Sequence, residues 1–167
     1  VIVSETGQSI RFPIRNLAPR SRTAGGVRGL RLREGDKVVA MVTISPEHRL
    51  LVVSEGGYGK ATPLSMYPTQ SRGGLGVKTF KVTDKTGRVA AARVVSESEG
   101  YEVFIISAMA QVVRINLEDV RVTGRATQGV IVWRDRDPDD YVASIACFHE
   151  NDYTEALTDT EEEDSKE

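Results

Sequence analysis

The sequence repeats itself, and that limits its folding more than any other feature. Residues 2–27, IVSETGQSIRFPIRNLAPRSRTAGGV, align without a gap on residues 52–77, VVSEGGYGKATPLSMYPTQSRGGLGV, at an offset of 50. Ser4 and Glu5 fall on Ser54 and Glu55, Gly7 on Gly57, Pro13 on Pro63, and Ser21 and Arg22 on Ser71 and Arg72. A third copy, residues 105–130 (IISAMAQVVRINLEDVRVTGRATQGV), follows after a further 53. All three share an Arg-x-x-x-Gly-Val frame: Arg22 with Gly26 and Val27, Arg72 with Gly76 and Val77, Arg125 with Gly129 and Val130. Units of this size cannot bury their apolar faces alone, so neighbouring copies must stack.

Each copy reads as short strands. In the second, Leu50 to Ser54 is an apolar strand ending at the turn Glu55-Gly56-Gly57. Tyr58 to Pro63 starts the next strand, and a loop from Pro68 to Gly76 follows. Val77 to Val82 alternates in polarity, the mark of a strand with one buried face. Asp84 to Gly87 is a turn, and Val89 to Val95 returns. No segment sustains a helical period. Four strands per copy predict an all-β fold of propeller blades, at about 1–48, 49–101 and 102–149. Three blades leave terminal faces uncovered, so the chain is expected to continue in a longer protein, to associate with itself, or both. An opening on Val1 rather than Met fits the first expectation.

The net charge of −2 conceals two parts. Residues 150–167 hold nine acidic residues against Lys166, a local balance of −8; the rest carries 21 basic and 15 acidic residues, or +6. Sixteen of those 21 are Arg. The acidic segment has too little apolar content to offset ordering entropy and is expected to be a disordered tail. It is read either as a solubilising end or as a segment that competes with a polyanionic partner for the basic body. Cys147 stands alone, which excludes an internal disulfide and fits a reducing cytoplasm. With His48 and His149 as the only histidines, a zinc site is not expected. No apolar run reaches the length of a membrane span.

GGYGKATPLSMYPTQSRGGLGVKTFKVTDKTGRV (56–89) closely resembles a blade of the DNA gyrase A C-terminal domain family. GRATQGVIVWR (124–134), followed by the acidic segment, resembles that family's last blade and chain end. The resemblance implies a β-pinwheel, a propeller variant whose adjacent blades exchange strands, with this chain as its last three blades plus tail. It also implies sequence-independent binding and wrapping of double-stranded DNA within an ATP-dependent type II topoisomerase that introduces negative supercoils. The partners implied are the gyrase B subunit, together with the rest of gyrase A in a heterotetramer. ATP, Mg and the strand-cleaving tyrosine would belong to other parts of that assembly, leaving this chain without cofactor or catalytic residue. The topoisomerase IV C-terminal domain is the nearest competing family. Gln70-Ser71-Arg72-Gly73-Gly74-Leu75-Gly76 occupies the loop of the family's signature Gln-Arg-Arg-Gly-Gly-Lys-Gly, with Ser71 and Leu75 in place of Arg and Lys. It reads as a degenerate later copy of that box.

Wrapping needs cations spaced along a curved path, because bending 20–30 base pairs by 40–90° costs about 1–6 kcal/mol. One basic loop per blade supplies them. The candidate DNA contacts are Arg20, Arg22 and Arg28 in the first copy, Lys60, Arg72 and Lys78 in the second, and Arg114, Arg121 and Arg125 in the third. Neighbouring glycines would offer backbone amides to phosphate oxygens. Two readings stay open for Arg22, Arg72 and Arg125: phosphate contact, or a structural bond to carbonyls at a blade junction. Tyr58 and Tyr67 read as packing residues, and Trp133 as core. The run Gly56 to Thr62 fails as a phosphate-binding loop, since Ser54 stands where its first glycine should and Ala61 follows Lys60. A protein-binding propeller with a basic rim is the alternative from another class.

Overall fold

The structure, a computed structural model, describes residues 1–44, 47–96 and 100–149. The expected tail at 150–167 lies outside these residues. The described chain is all-β. Its strands are β1 (Ile2–Ser4), β2 (Gln8–Ile10), β3 (Val38–Met41), β4 (His48–Ser54), β5 (Tyr58–Pro63), β6 (Val77–Lys78), β7 (Val89–Ser96), β8 (Tyr101–Ser107), β9 (Val112–Asn116), β10 (Val130–Ile131) and β11 (Val142–His149). One-turn 3₁₀ segments at Ile14–Asn16, Leu64–Met66 and Leu117–Asp119 sit at the repeat offsets of 50 and 53.

The sheets do not follow the repeat boundaries. The first has the order β3-β1-β2-β6 and the second β10-β5-β4-β7, while the third holds only β11-β8-β9. Thus β6 from the second copy completes the first sheet, with Val77 opposite Ser9 and Lys78 opposite Gln8. In the same way β10 from the third copy completes the second sheet, with Val130 opposite Gly59 and Ile131 opposite Tyr58. Four-stranded blades arise by strand exchange.

The strand expected over Val77–Val82 is therefore shorter, and it belongs to its neighbour's sheet. Only Val77 and Lys78 pair. The N–H groups of Thr79 and Phe80 then both donate to the Gly7 carbonyl, at 2.8 and 3.2 Å, which uses one acceptor twice and ends the ladder. Thr79 and Phe80 are both buried, so the alternation read from the sequence breaks there.

The core lies between sheets. Leu50 and Val52 of β4 pack with Val3, Leu64, Tyr67, Phe80 and Ala92 on the side of the first blade. Leu51 and Val53 pack with Val103, Ile105, Leu117, Trp133 and Ile145 on the side of the third. A strand buried on both faces must read as a continuous apolar run, as LLVV does at 50–53. Tyr58, Tyr67 and Trp133 are buried among these residues.

Matched turns fix each blade's first hairpin. Gly7 and Gly57 have φ of +80° and +75°, and Ala110, at the same place in the third copy, has +62°. Asp36 accepts from the Thr6 N–H and hydroxyl at 3.0 and 2.6 Å. Asp140 does the same work 104 residues on, accepting from the N–H groups of Met109 and Tyr141 at 3.1 and 2.8 Å.

Candidate nucleic-acid interface

Strand exchange forces one loop of the second copy and one of the third across the rim of the preceding blade. The loop before β6 is stitched to the first blade by backbone bonds from Gln70 N–H to Arg11 O (2.8 Å), Gly73 N–H to Gly29 O (2.6 Å) and Arg31 N–H to Gly74 O (2.8 Å). The loop before β10 repeats the pattern on the second blade, with Thr123 N–H to Ala61 O at 2.9 Å and Lys81 N–H to Thr127 O at 3.0 Å. Gly76 and Gly129, at φ +73° and +76°, sit where a Cβ would strike the carbonyls of Ser9 and Gly59. This explains the glycine of the repeated frame: only a residue without a side chain lets the donated strand close on its acceptor.

Two of the three frame arginines, Arg72 and Arg125, lie at these junctions. Arg72 donates to the Arg28 carbonyl and Arg125 to the Lys78 carbonyl, each at 3.4 Å. Both bonds are long, and Arg72 stays exposed. Arg125 is half-buried, its guanidinium 5.9 Å from the centre of the Tyr67 ring. The structural bond and a free cationic surface thus coexist at Arg72. The geometry brings Arg28 beside Arg72, and Lys78 beside Arg125. Arg20, Arg22, Arg28, Lys78 and Arg121 are all exposed.

Lys60 is not a surface cation, contrary to its sequence reading. It lies on β5 with no exposed surface. Its ammonium donates to the Gly124 carbonyl at 2.7 Å, to the Arg125 carbonyl, and to Thr127 Oγ1 at 3.2 Å. Burial, together with the nearby Arg125 charge, pulls its pKa down to about 8. Donated strand β10 and its loop cover β5, which the sequence could not show because the cover comes from another copy. Lys60 acts instead as a strut under the loop that carries Arg125.

Arg114 is also set apart. It lies on β9, exposed and paired with Glu102 at 3.2 Å, on a sheet face rather than in an exchange loop. Sequence reading passed over three other cations. Arg31 and Lys81 flank the exchange loops through the backbone bonds above, and the same offset leads on to Arg134. All three are exposed. The signal lay in the repeat itself, four residues beyond Val27, Val77 and Val130. Among the described residues no group of three or more His, Cys, Asp or Glu is arranged to hold a metal ion. Among them, too, no helix is long and apolar enough to cross a membrane.

By class, this is a strand-exchanging β-propeller module with cations repeated in register along its rim. The family model described as the DNA gyrase C-terminal domain, beta-propeller, matches three times, over residues 1–45, 48–96 and 101–149, and the chain belongs to that family. The DNA gyrase A protein of Dehalogenimonas lykanthroporepellens is 44% identical over 156 residues, 90% of this chain and 19% of that protein. The DNA gyrase A protein of Kosmotoga olearia is 42% identical over 148 residues, 87% of this chain and 18% of that protein. The chain thus spans about a fifth of these relatives. A solved DNA gyrase A C-terminal domain superposes with a TM-score of 0.74 at 30% identity, over 88% of this chain and 49% of that one. The C-terminal domain of DNA topoisomerase IV gives 0.84 at 21% identity, over 97% and 50%, which shows a shared fold.

Proposed function

We propose that this chain binds double-stranded DNA without reading its sequence and wraps it along the rim formed by the exchange loops. It would do so as the C-terminal part of a gyrase A polypeptide, in the cytoplasm, assembled with the rest of that polypeptide and with gyrase B. Wrapping of this kind serves ATP-dependent negative supercoiling by presenting a neighbouring duplex segment to the enzyme's gate. Nucleotide and metal chemistry would belong to other parts of that assembly.

The observation that carries the reading is the repetition of cations at one place on successive blades. Arg28 and Arg31 stand beside Arg72, and Lys78 and Lys81 beside Arg125. Even spacing on similar units gives a polyanion equivalent contacts along its length, which is the requirement for holding a bent duplex. Contacts of this type position the backbone and carry no base readout.

The test is the salt dependence of binding to random-sequence duplex DNA, followed by fluorescence anisotropy. The log of the binding constant should fall with log salt by about 0.9 per neutralised phosphate, and Arg72→Ala or Lys78→Ala should each flatten that slope by about one such step. Arg114→Ala should leave the slope unchanged. A slope indifferent to Arg72 and Lys78 would remove the rim as the binding surface and favour docking of an acidic protein.

A further inference from the structure

The two loops that cross between blades carry the same arginine on different backbones. Arg72 and Arg125 lie in turns, over residues 71–74 and 124–127, at matched places in the repeat. In the first turn the Gly73 N–H donates to the Gly29 carbonyl of the first blade at 2.6 Å. Gly73 has φ +82°, the mark of a type II turn, whereas Ala126, its counterpart 53 residues on, has a negative φ. Turns of types I and II differ by reversal of their middle peptide. The cause lies in the residue beneath each loop. Under 71–74 is Ile10, fully buried and with no side-chain donor; a Cβ on Gly74 would come within 3.7 Å of its Cδ1. Under 124–127, at the same repeat position, is Lys60, whose ammonium donates to the carbonyls of Gly124 (2.7 Å) and Arg125.

A trans peptide is planar, with its N–H and C=O pointing in opposite directions. Two successive carbonyls drawn down onto one ammonium therefore turn the N–H groups of Arg125 and Ala126 outward. Ala126 is exposed, and neither N–H has a protein acceptor among the described residues. The ammonium also polarises both peptides from the carbonyl side, which makes their N–H ends stronger donors. Thr127 secures the arrangement: its hydroxyl accepts from Lys60 at 3.2 Å and donates to the Gly124 carbonyl at 2.9 Å. Gly74 stands at that position in the other loop. Lys78 and Lys81 flank the turn, through the bonds of the Arg125 guanidinium to the Lys78 carbonyl and of the Lys81 N–H to the Thr127 carbonyl. No Asp or Glu occurs in 56–83 or 120–134, the two segments that build this corner.

We propose that the turn 124–127 is a phosphate site for duplex DNA, made by the N–H groups of Arg125 and Ala126 with the Arg125 guanidinium, and that Lys60 is the positioning residue that turns those N–H groups outward. It rests on the DNA-binding reading above and gives one point of the rim its ligand set. Successive N–H groups in a turn form a concavity for an anionic oxygen. The peptides themselves separate that oxygen from the ammonium beneath. The turn 71–74 presents the Arg72 carbonyl where the other presents an N–H, so DNA meets it through side chains. The rim is uniform in its arginines and uneven in its backbone, with the firmer hold at the junction of the second and third blades.

The test follows backbone amides by ¹⁵N–¹H correlation spectra while a short random-sequence duplex is added to the whole chain. The amide protons of Arg125 and Ala126 should move downfield as they bond to phosphate, and that of Gly73 should not. Lys60→Met gives the third loop the apolar floor that Ile10 gives the second. It should abolish the Ala126 shift and flatten the salt slope of binding by about one step of 0.9, with the free chain's spectrum preserved away from residues 123–127. A Lys60→Met chain that keeps both the Ala126 shift and the parent slope overturns the positioning role. If that variant does not fold, the parent spectrum decides: a duplex that binds while the Ala126 amide stays in place overturns the site. In that case a slope still flattened by Arg72→Ala leaves the wrapping reading standing. An Ala126 shift accompanied by a slope indifferent to Arg72 and Lys78 supports the site and removes the wider rim.

Discussion

Lys60 shows how a single buried cation can hold up the loop that carries Arg125. Its ammonium has three oxygen partners, all in the loop 124–127. Lys60→Met keeps the aliphatic stem but leaves the Gly124 and Arg125 carbonyls without their donor, a loss of about 1–3 kcal/mol expected in urea unfolding at neutral pH. The lowered pKa adds a signature. The unfolded value is 10.5 and the folded one about 8, so between these pH values the unfolded chain binds more protons. Stability attributable to Lys60 should therefore rise with pH through that window, as the cost of burying the charge disappears. The slope should be present in the parent and missing from Lys60→Met when the two are unfolded in parallel.

β4 is the element on which the two interfaces between blades depend. Its side chains point alternately toward the first and the third blade, so adjacent positions stabilise different junctions. Leu50→Ala and Leu51→Ala should each cost about 2–5 kcal/mol in equilibrium unfolding, because both remove a fully buried side chain. A strand with one wet face would give one large loss and one near zero. The exchange strands carry the opposite lesson. β6 and β10 contribute two residues each to a ladder, and their placement rests on Gly76 and Gly129 and on the loop bonds before them.

At the scale of the whole molecule, the charge division bears on the proposed encounter with DNA. Removing residues 150–167 takes away a net −8 and leaves +6 on the remainder. Long-range attraction for a duplex should then strengthen at low salt and converge with the parent's as salt screens the difference. Electrophoretic mobility shift at two ionic strengths checks this; equal affinity at low salt would mean that the acidic segment does not act on DNA binding.

Much of this molecule was legible before any fold was known. The offsets of 50 and 53 marked three units, Leu50–Ser54 read as an apolar strand, and Tyr58, Tyr67 and Trp133 read as packing residues. Each of these is local: it depends on neighbours along the chain or on a pattern repeated at constant spacing. The cover on both faces of β4 and the closure at Gly76 and Gly129 came from the fold. What tertiary structure alone decided concerns partners from other copies. β6 and β10 leave their own repeats, so Lys60 lies buried beneath residues 124–127, more than sixty positions away, and Val77–Val82 cannot run as one strand. A sequence records which side chain a residue has. Whether that side chain meets water or a neighbour's carbonyl depends on which strand closes the sheet beside it.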